Sequence, residues 1–317
     1  MTDWTEGVSV IVPTYKRPKG LERALKSLCE QSVDGRIMDI VIADNDPAGS
    51  AREFVTSFAS KCAHDVTYKH VPNPGVSNAR NGGLSVARGR FIAFLDDDME
   101  ALPGWVAELV AASLKYEAGL VFGPAIAEMP DANNPYNPYM IPFFSRTTDA
   151  PEGYITKTFG TGGCLVDLSI CNIPTPAFDA KYNETGGEDD AFFHHLITHG
   201  SKVAWAPKAK SWEIVPAKRA VPDYMWQRNF AFGQSPTQEA ADRGVAGIFE
   251  IAKWMSVGAA QFAINAPLMM AFKALGKPKY IHYHARTAQA LGKICWWSGF
   301  KQSLYGANAT TEDPVTV

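Results

Sequence analysis

Three consecutive carboxylates, Asp96, Asp97 and Asp98, follow directly on the apolar run Arg90-Phe91-Ile92-Ala93-Phe94-Leu95. Acids clustered where a strand ends present hard oxygen donors at one edge of a sheet, the place where divalent cations and the phosphates they carry are held. Acidic strand ends are also commonly just solvated, so the trio gains meaning from its company. A second acidic cluster, Glu188-Asp189-Asp190, follows Gly186-Gly187 and opens a helical pattern.

The elements that must position these acids show in the hydrophobic period. Residues 8–13 form a β-branched run, and residues 19–31 follow with Leu21, Ala24, Leu25 and Leu28 on one helical face. A second such unit begins with a strand over 38–43, turns through Asp44-Asn45-Asp46-Pro47-Ala48-Gly49, and continues as a helix over 51–58. Residues 66–70 predict a third strand, 77–87 a helix, and 91–95 a fourth strand that runs into the triple Asp. Strands alternating with helices of this length imply an α/β fold with a mostly parallel central sheet and helices on both faces. Ligands then gather at the strands' carboxyl ends. Further on, the pattern predicts a helix over 103–116, a strand over 119–123, an apolar stretch at Cys164-Leu165-Val166 behind Gly160-Thr161-Gly162-Gly163, a helix to His199 and a short strand over 203–206. Residues 129–151, rich in Pro, Asn, Tyr and Phe, have no period and read as a long loop of the kind that carries specificity.

With 317 residues and 46% apolar composition the chain can form a substantial core. Its net charge of -3 gives no overall attraction to nucleic acid, which is not expected as a partner. Cys29, Cys62, Cys164, Cys171 and Cys295 are odd in number and contain no C-x-x-C pair, so reduced thiols are expected rather than a disulfide framework or a zinc site. The first residues lack the basic and apolar regions of a secretory signal, which points to a cytoplasmic protein.

Four loops converge on one rim: Thr14-Tyr15-Lys16-Arg17, Asp44-Asn45-Asp46, Asn73-Pro74-Gly75 and the triple Asp. A nucleoside diphosphate needs an acceptor for the base N–H, a floor under the base, acids for ribose and metal, and cations for phosphate. Asp44 can serve the base, Pro13 and Tyr15 the floor, Asp96 the ribose, Asp98 the metal and Arg80 the phosphate charge.

These stretches, together with Asn73-Pro74-Gly75-Val76-Ser77-Asn78-Ala79-Arg80, Phe94-Leu95-Asp96-Asp97-Asp98 and Gly187-Glu188-Asp189-Asp190, make the chain resemble family 2 glycosyltransferases of the GT-A fold over roughly residues 8–215. Within that family it is most similar to bacterial succinoglycan-biosynthesis-type transferases. The resemblance implies a GT-A nucleotide-sugar domain over residues 1–222 and a C-terminal helical extension over 223–317. It assigns nucleotide-sugar binding to Pro13, Thr14, Tyr15, Arg17, Asp44, Asn45, Asn73, Gly75, Arg80, Asp96 and Asp97. Asp98, with Asp96, would hold Mn²⁺ or Mg²⁺. Asp189, flanked by Glu188 and Asp190, would be the general base of an inverting transfer, with Asp190 as its rival. Gly162 sits in a loop suited to the donor sugar or acceptor, and Arg228 stands where family members place a cation over the diphosphate.

Plainer readings stand beside these. Gly75, Gly82 and Gly83 can be turn and packing glycines, and no G-x-G-x-x-G follows the first strand. His194, His195 and His199 lack metal-ligand spacing and are expected to be structural. Tyr136, Tyr139, Phe143 and Phe144 anchor a loop or stack on sugars.

From Ile251 to Thr311 there are seven cations (Lys253, Lys273, Lys277, Lys279, Arg286, Lys293, Lys301), many aromatics and no Asp or Glu. That composition predicts peripheral attachment to an anionic membrane surface, at the inner face of the cell membrane. A membrane-crossing helix and a homodimer interface are the alternatives. The function expected is transfer of a sugar from a UDP-sugar to a hydroxyl of a lipid-linked glycan in surface polysaccharide synthesis. A nucleotidyltransferase and a catalytically silent nucleotide-sugar-binding scaffold are the competing readings.

Overall fold

A computed structural model describes residues 6–33, 35–183 and 186–300; Lys301 and the remainder of the C-terminal stretch lie outside them. The described residues divide into two units, residues 6–127 with 145–214, and residues 128–144 with 215–300.

The first unit is built on strands β1 (Val8–Thr14), β2 (Met38–Asp44), β3 (Asp65–His70), β4 (Phe91–Phe94), β5 (Met99–Ala101), β6 (Leu120–Phe122), β7 (Ala125–Glu128), β8 (Gly153–Tyr154), β9 (Cys164–Asp167), β10 (Val203–Trp205) and β11 (Ser211–Ile214). Eight of them form a sheet in the order β3-β2-β1-β4-β9-β6-β10-β8. The four leading strands are parallel, with Thr14 opposite Asp44 and Asp44 opposite His70. Their carboxyl ends therefore share one rim, as expected. Strands β1 and β2 are buried on both faces because the helices α1 (Pro18–Cys29), α2 (Arg52–Ala59), α3 (Val76–Leu84), α4 (Trp105–Tyr116) and α6 (Glu188–Thr198) cover the sheet, which is why their sequences are continuously apolar. Leu21, Ala24, Leu25 and Leu28 of α1 face the core as their spacing predicted, and Pro18 opens that helix.

Three features depart from the sequence reading. Strand β9 inserts antiparallel between β4 and β6, and β5, β11 and β7 form a separate small sheet. Strands of three or four residues have too few positions to show a period. The expected loop over 129–151 contains helix α5 (Asn137–Phe144), whose Pro142 and aromatics hide any helical pattern. Cys29 and Cys62 are joined in a disulfide, contrary to the expectation of reduced thiols, because folding brings the end of α1 beside the residues after α2. Cys164, Cys171 and Cys295 are free.

In the second unit α7 (Pro222–Asp242), α8 (Ile248–Ala274) and α9 (Tyr280–Ile294) pack together. Gly233 and Gly292 let α7 and α9 approach closely, since a methyl at either would come 2.1 Å from a backbone oxygen of the other helix. Tyr136, Tyr139, Phe143 and Phe144 anchor α5 around Met140, Met225 and Ile281. Residues Gly244–Ala274 are long and apolar enough to cross a membrane by length and composition, with little of that span buried. Phe249, Ile264 and Met270 are 86%, 62% and 60% exposed.

Asp167 on β9 is buried, and Arg90 grips it with Nε at 2.9 Å and Nη2 at 2.7 Å. Burial pushes this carboxyl up, but Arg90 and Ser169 outweigh burial and hold it below the usual range. Its stabilisation is therefore present above the unfolded pKa of about 3.9 and is lost as pH falls through the lower folded value. Arg90→Ala leaves a buried, half-satisfied charge and should cost about 3 kcal/mol at neutral pH. Circular-dichroism melts from pH 3 to 7 should also show its acid unfolding at higher pH than the parent chain.

Candidate active site

Arg80, on the buried face of α3, lies at the centre of the rim. Its guanidinium hydrogen-bonds Glu188 and stands 3.6 Å from Asp96, with Phe178 beneath it at 5.5 Å. Burial works against the charge of Arg80, and Asp96, Glu188 and Asp189 together outweigh it, keeping the cation above its ordinary pKa. Acids from the β4 end and from the start of α6 thus share one buried cation.

The Gly160–Gly163 turn closes over these acids. A methyl on Gly162 would come 2.3 Å from Asp96 Oδ2, so a larger residue there would push the Asp96 carboxylate aside. At Gly160 a methyl would sit 3.5 Å from Asp189 Oδ2, which places that carboxylate beside the same turn. Arg146 fixes the turn by donating to Gly162 O at 3.2 Å while pairing with Glu213 at 3.1 Å. Sequence reasoning missed Arg146, which lies in an aperiodic stretch; its charge was the one available signal.

The triple Asp splits into different tasks. Asp97 is 5% exposed and accepts from Thr14 Oγ1 at 2.8 Å, Arg17 Nη1 at 2.8 Å and Tyr15 N at 3.4 Å. Burial pushes its carboxyl up to about 6 against the pull of Arg17. Asp97 therefore braces the β1 turn to the end of β4. Asp96 and Asp98 keep side-chain exposures of 29% and 20%. Both offer oxygen alone, and among the described residues no three His, Cys, Asp or Glu are placed to hold a metal ion by themselves. That donor set fits a hard cation completed by phosphate oxygens and water. Arg17 donates to Asp98 Oδ2 at 3.0 Å.

The second loop is organised from within. Asp44 is fully buried, accepting from Asp46 N at 3.0 Å and, through Oδ2, from Ala51 N and Tyr68 Oη at 2.9 Å each. Burial and Asp44 push the Tyr68 hydroxyl up to about 12, so it remains a donor. Oδ1 has one lone pair left for a further N–H. Asn45 donates to Val71 O at 2.9 Å and Asn73 O at 2.7 Å, and accepts from Gly75 N at 2.7 Å. Pro13 is half-buried and Tyr15 is 37% exposed at the same rim. Arg228 lies on α7 in the second unit, its guanidinium 5.0 Å from the Phe232 ring. His195 and His199 stack on each other at 4.0 Å, a structural pairing.

Known proteins resemble this chain in sequence and in fold. The family described as Glycosyl transferase family 2 matches residues 9–168, half of the chain. The succinoglycan biosynthesis protein ExoM of Rhizobium meliloti (strain 1021) is 30% identical over 251 residues, covering 77% of this chain and 78% of that protein. A Campylobacter jejuni GalNAc(5)-diNAcBac-PP-undecaprenol beta-1,3-glucosyltransferase is 33% identical over 126 residues, 38% of each chain. In fold, Staphylococcus aureus TarS 1-349 in complex with UDP gives a TM-score of 0.54 at 15% identity, over 90% of both chains. That likeness confirms the expected GT-A architecture.

Replacing Arg80 by Leu should destabilise the fold by about 3 kcal/mol, because Glu188 is left buried without its cation. Adding Glu188→Gln should restore much of that loss, and urea unfolding of the two single variants and the double variant measures the coupling. Strict additivity would show that the pair acts independently.

Proposed function

The chain belongs to glycosyl transferase family 2, and from that premise we propose that it is an inverting, metal-dependent transferase moving a sugar from a UDP-sugar to a hydroxyl of a lipid-linked glycan. The observation that carries this reading is the shared rim on which Asp96, Glu188 and buried Arg80 meet beside Asp189 and the Gly160–Gly163 turn. Glu188 is already neutralised by Arg80, and Asp190 is exposed. Asp189 is thus the acid best suited to act as general base, its Oδ2 directed at the turn that covers Asp96.

The acceptor oxygen bonds to the anomeric carbon as Asp189 takes its proton, and the anomeric C–O bond to phosphate breaks with its electrons going to the nucleoside diphosphate. Attack opposite the leaving group inverts the centre. Arg80 compensates the charge that grows on the diphosphate. Asp98 and Asp96 would hold a divalent cation, which would supply further charge neutralisation there. Pro13, Tyr15 and the remaining lone pair of Asp44 Oδ1 receive the base, and the UDP carried by TarS supports uracil as that base. The named roles of the relatives support surface polysaccharide as the product class.

Peripheral attachment to the inner face of an anionic membrane is part of the same proposal, supported by exposed Phe249 and by exposed Ile264 and Met270, which stand in the stretch from Ile251 on that has cations and no acids.

With Mn²⁺, UDP should raise the melting temperature more than other nucleoside diphosphates, a ligand at 100 times its Kd giving about 2.7 kcal/mol. Asp189→Asn should keep that shift and slow sugar release by roughly 10²–10⁴-fold. Unchanged turnover in Asp189→Asn would move the base elsewhere, and no stabilisation by any nucleotide would defeat the nucleotide-sugar reading. Sedimentation with anionic liposomes should carry the full chain down and leave a Phe249→Asp, Ile264→Asp variant in solution; equal pelleting of both refutes attachment through α8.

A further inference from the structure

The Gly160–Gly163 turn runs beside two carboxylates with opposite tasks. A methyl at Gly160 would lie 3.5 Å from Asp189 Oδ2, and one at Gly162 would lie 2.3 Å from Asp96 Oδ2. Two residues of chain reach about 7 Å at most, so a small shift of this turn changes the space beside the proposed base and beside the acid on the metal side together.

The two ends of the turn are held differently. Gly163 is fixed by main chain, since its N donates to Phe94 O at 2.8 Å and its O accepts from Gly123 N at 3.3 Å. Ahead of it, Thr161 is buried, yet its hydroxyl has no hydrogen-bond partner among the described residues. The one side-chain hydrogen bond that the turn receives among those residues comes from Arg146, whose Nη2 donates to Gly162 O at 3.2 Å.

Arg146 is itself firmly anchored. Its main chain pairs with Ala125 in both directions, at 2.8 and 3.1 Å, while Nη1 meets Glu213 Oε2 at 3.1 Å and Nη2 also reaches Met99 Sδ at 3.2 Å. Met99 and Glu213 stand opposite each other on β5 and β11, and Met99 N donates to Asp96 O at 3.0 Å. The guanidinium therefore ties the turn to the strand that continues from the triple Asp. Its planar fork serves a carboxylate and a carbonyl at once, which a lysine ammonium on a flexible stem does not reproduce.

We propose that Arg146 is a positioning residue of the transfer: it sets the place of the Gly160–Gly163 turn, and with it the alignment of the donor sugar between Asp96 and Asp189. The inference rests on the transferase reading above, and adds a residue that acts through the backbone of the turn.

Arg146→Lys and Arg146→Met in the full-length chain with Mn²⁺ test it. Titration with UDP counts the competent sites, and hydrolysis of a panel of UDP-hexoses is measured per site. UDP affinity should keep the parent value in both variants, because the bonds of Arg146 go to Gly162, Met99 and Glu213 and none to the base rim. In both, kcat per site should fall about 10²-fold with a smaller change in KM, the effect of misplacing reactants by about 1 Å. A purely structural role would lower the number of UDP sites and leave kcat per site unchanged, which overturns the proposal. Parent-like kcat in Arg146→Lys also overturns it, since charge without the fork would then suffice, and Arg146→Lys alone decides if Arg146→Met binds no UDP. Loss of UDP affinity in step with kcat overturns it by placing Arg146 on the nucleotide. A parent chain that binds UDP but turns over no UDP-hexose ends the transferase reading and this assignment with it, whereas an active parent with unaffected variants ends this assignment alone.

Discussion

The buried guanidinium of Arg80 is the constraint around which the rim is organised. Carboxylates from the end of β4 and the start of α6 approach one another closely, and like charges in a weakly polarisable interior repel strongly. One cation between Asp96 and Glu188 converts that repulsion into attraction. Its own desolvation is tolerable because both acids face it and Phe178 supports it. Remove the cation and Asp96 and Glu188 are left to repel each other, with Glu188 buried and unpaired.

The remaining acids show how similar residues acquire different tasks from burial. Asp97 and Asp44 sit within the same rim as Asp96, yet each accepts several hydrogen bonds from its own chain. They hold the turns after β1 and β2 in shape, a prerequisite for presenting Tyr15 and Pro13 to a ligand. Asp96 and Asp98 remain partly open and can meet a cation or a ribose. Along α6 the helical screw produces the same division, separating a neutralised acid, a directed acid and an exposed one.

Much of this was readable from residue order. Alternating strands and helices up to β4 fixed the parallel half of the sheet, because fully covered strands must be continuously apolar. Once those strands are parallel, their carboxyl-end loops share one rim, so Tyr15, Asp44, Asn73 and Asp96 had to stand along it. Less was readable where elements are short or aperiodic. Strand β9 reverses the sheet with four residues, and α5 is concealed by proline and aromatics. Arg146 lies beside α5 with no motif around it.

By itself, the sequence determined the α/β class, the acids and cations available for chemistry, and the strand ends at which most of them would stand, since periodicity and strand order are local properties. Only the tertiary structure decided which acid is neutralised, which braces a turn and which stays accessible. It also decided that Cys29 meets Cys62. Those outcomes depend on distances between residues far apart in the chain, and charge, burial and thiol pairing are settled by such distances.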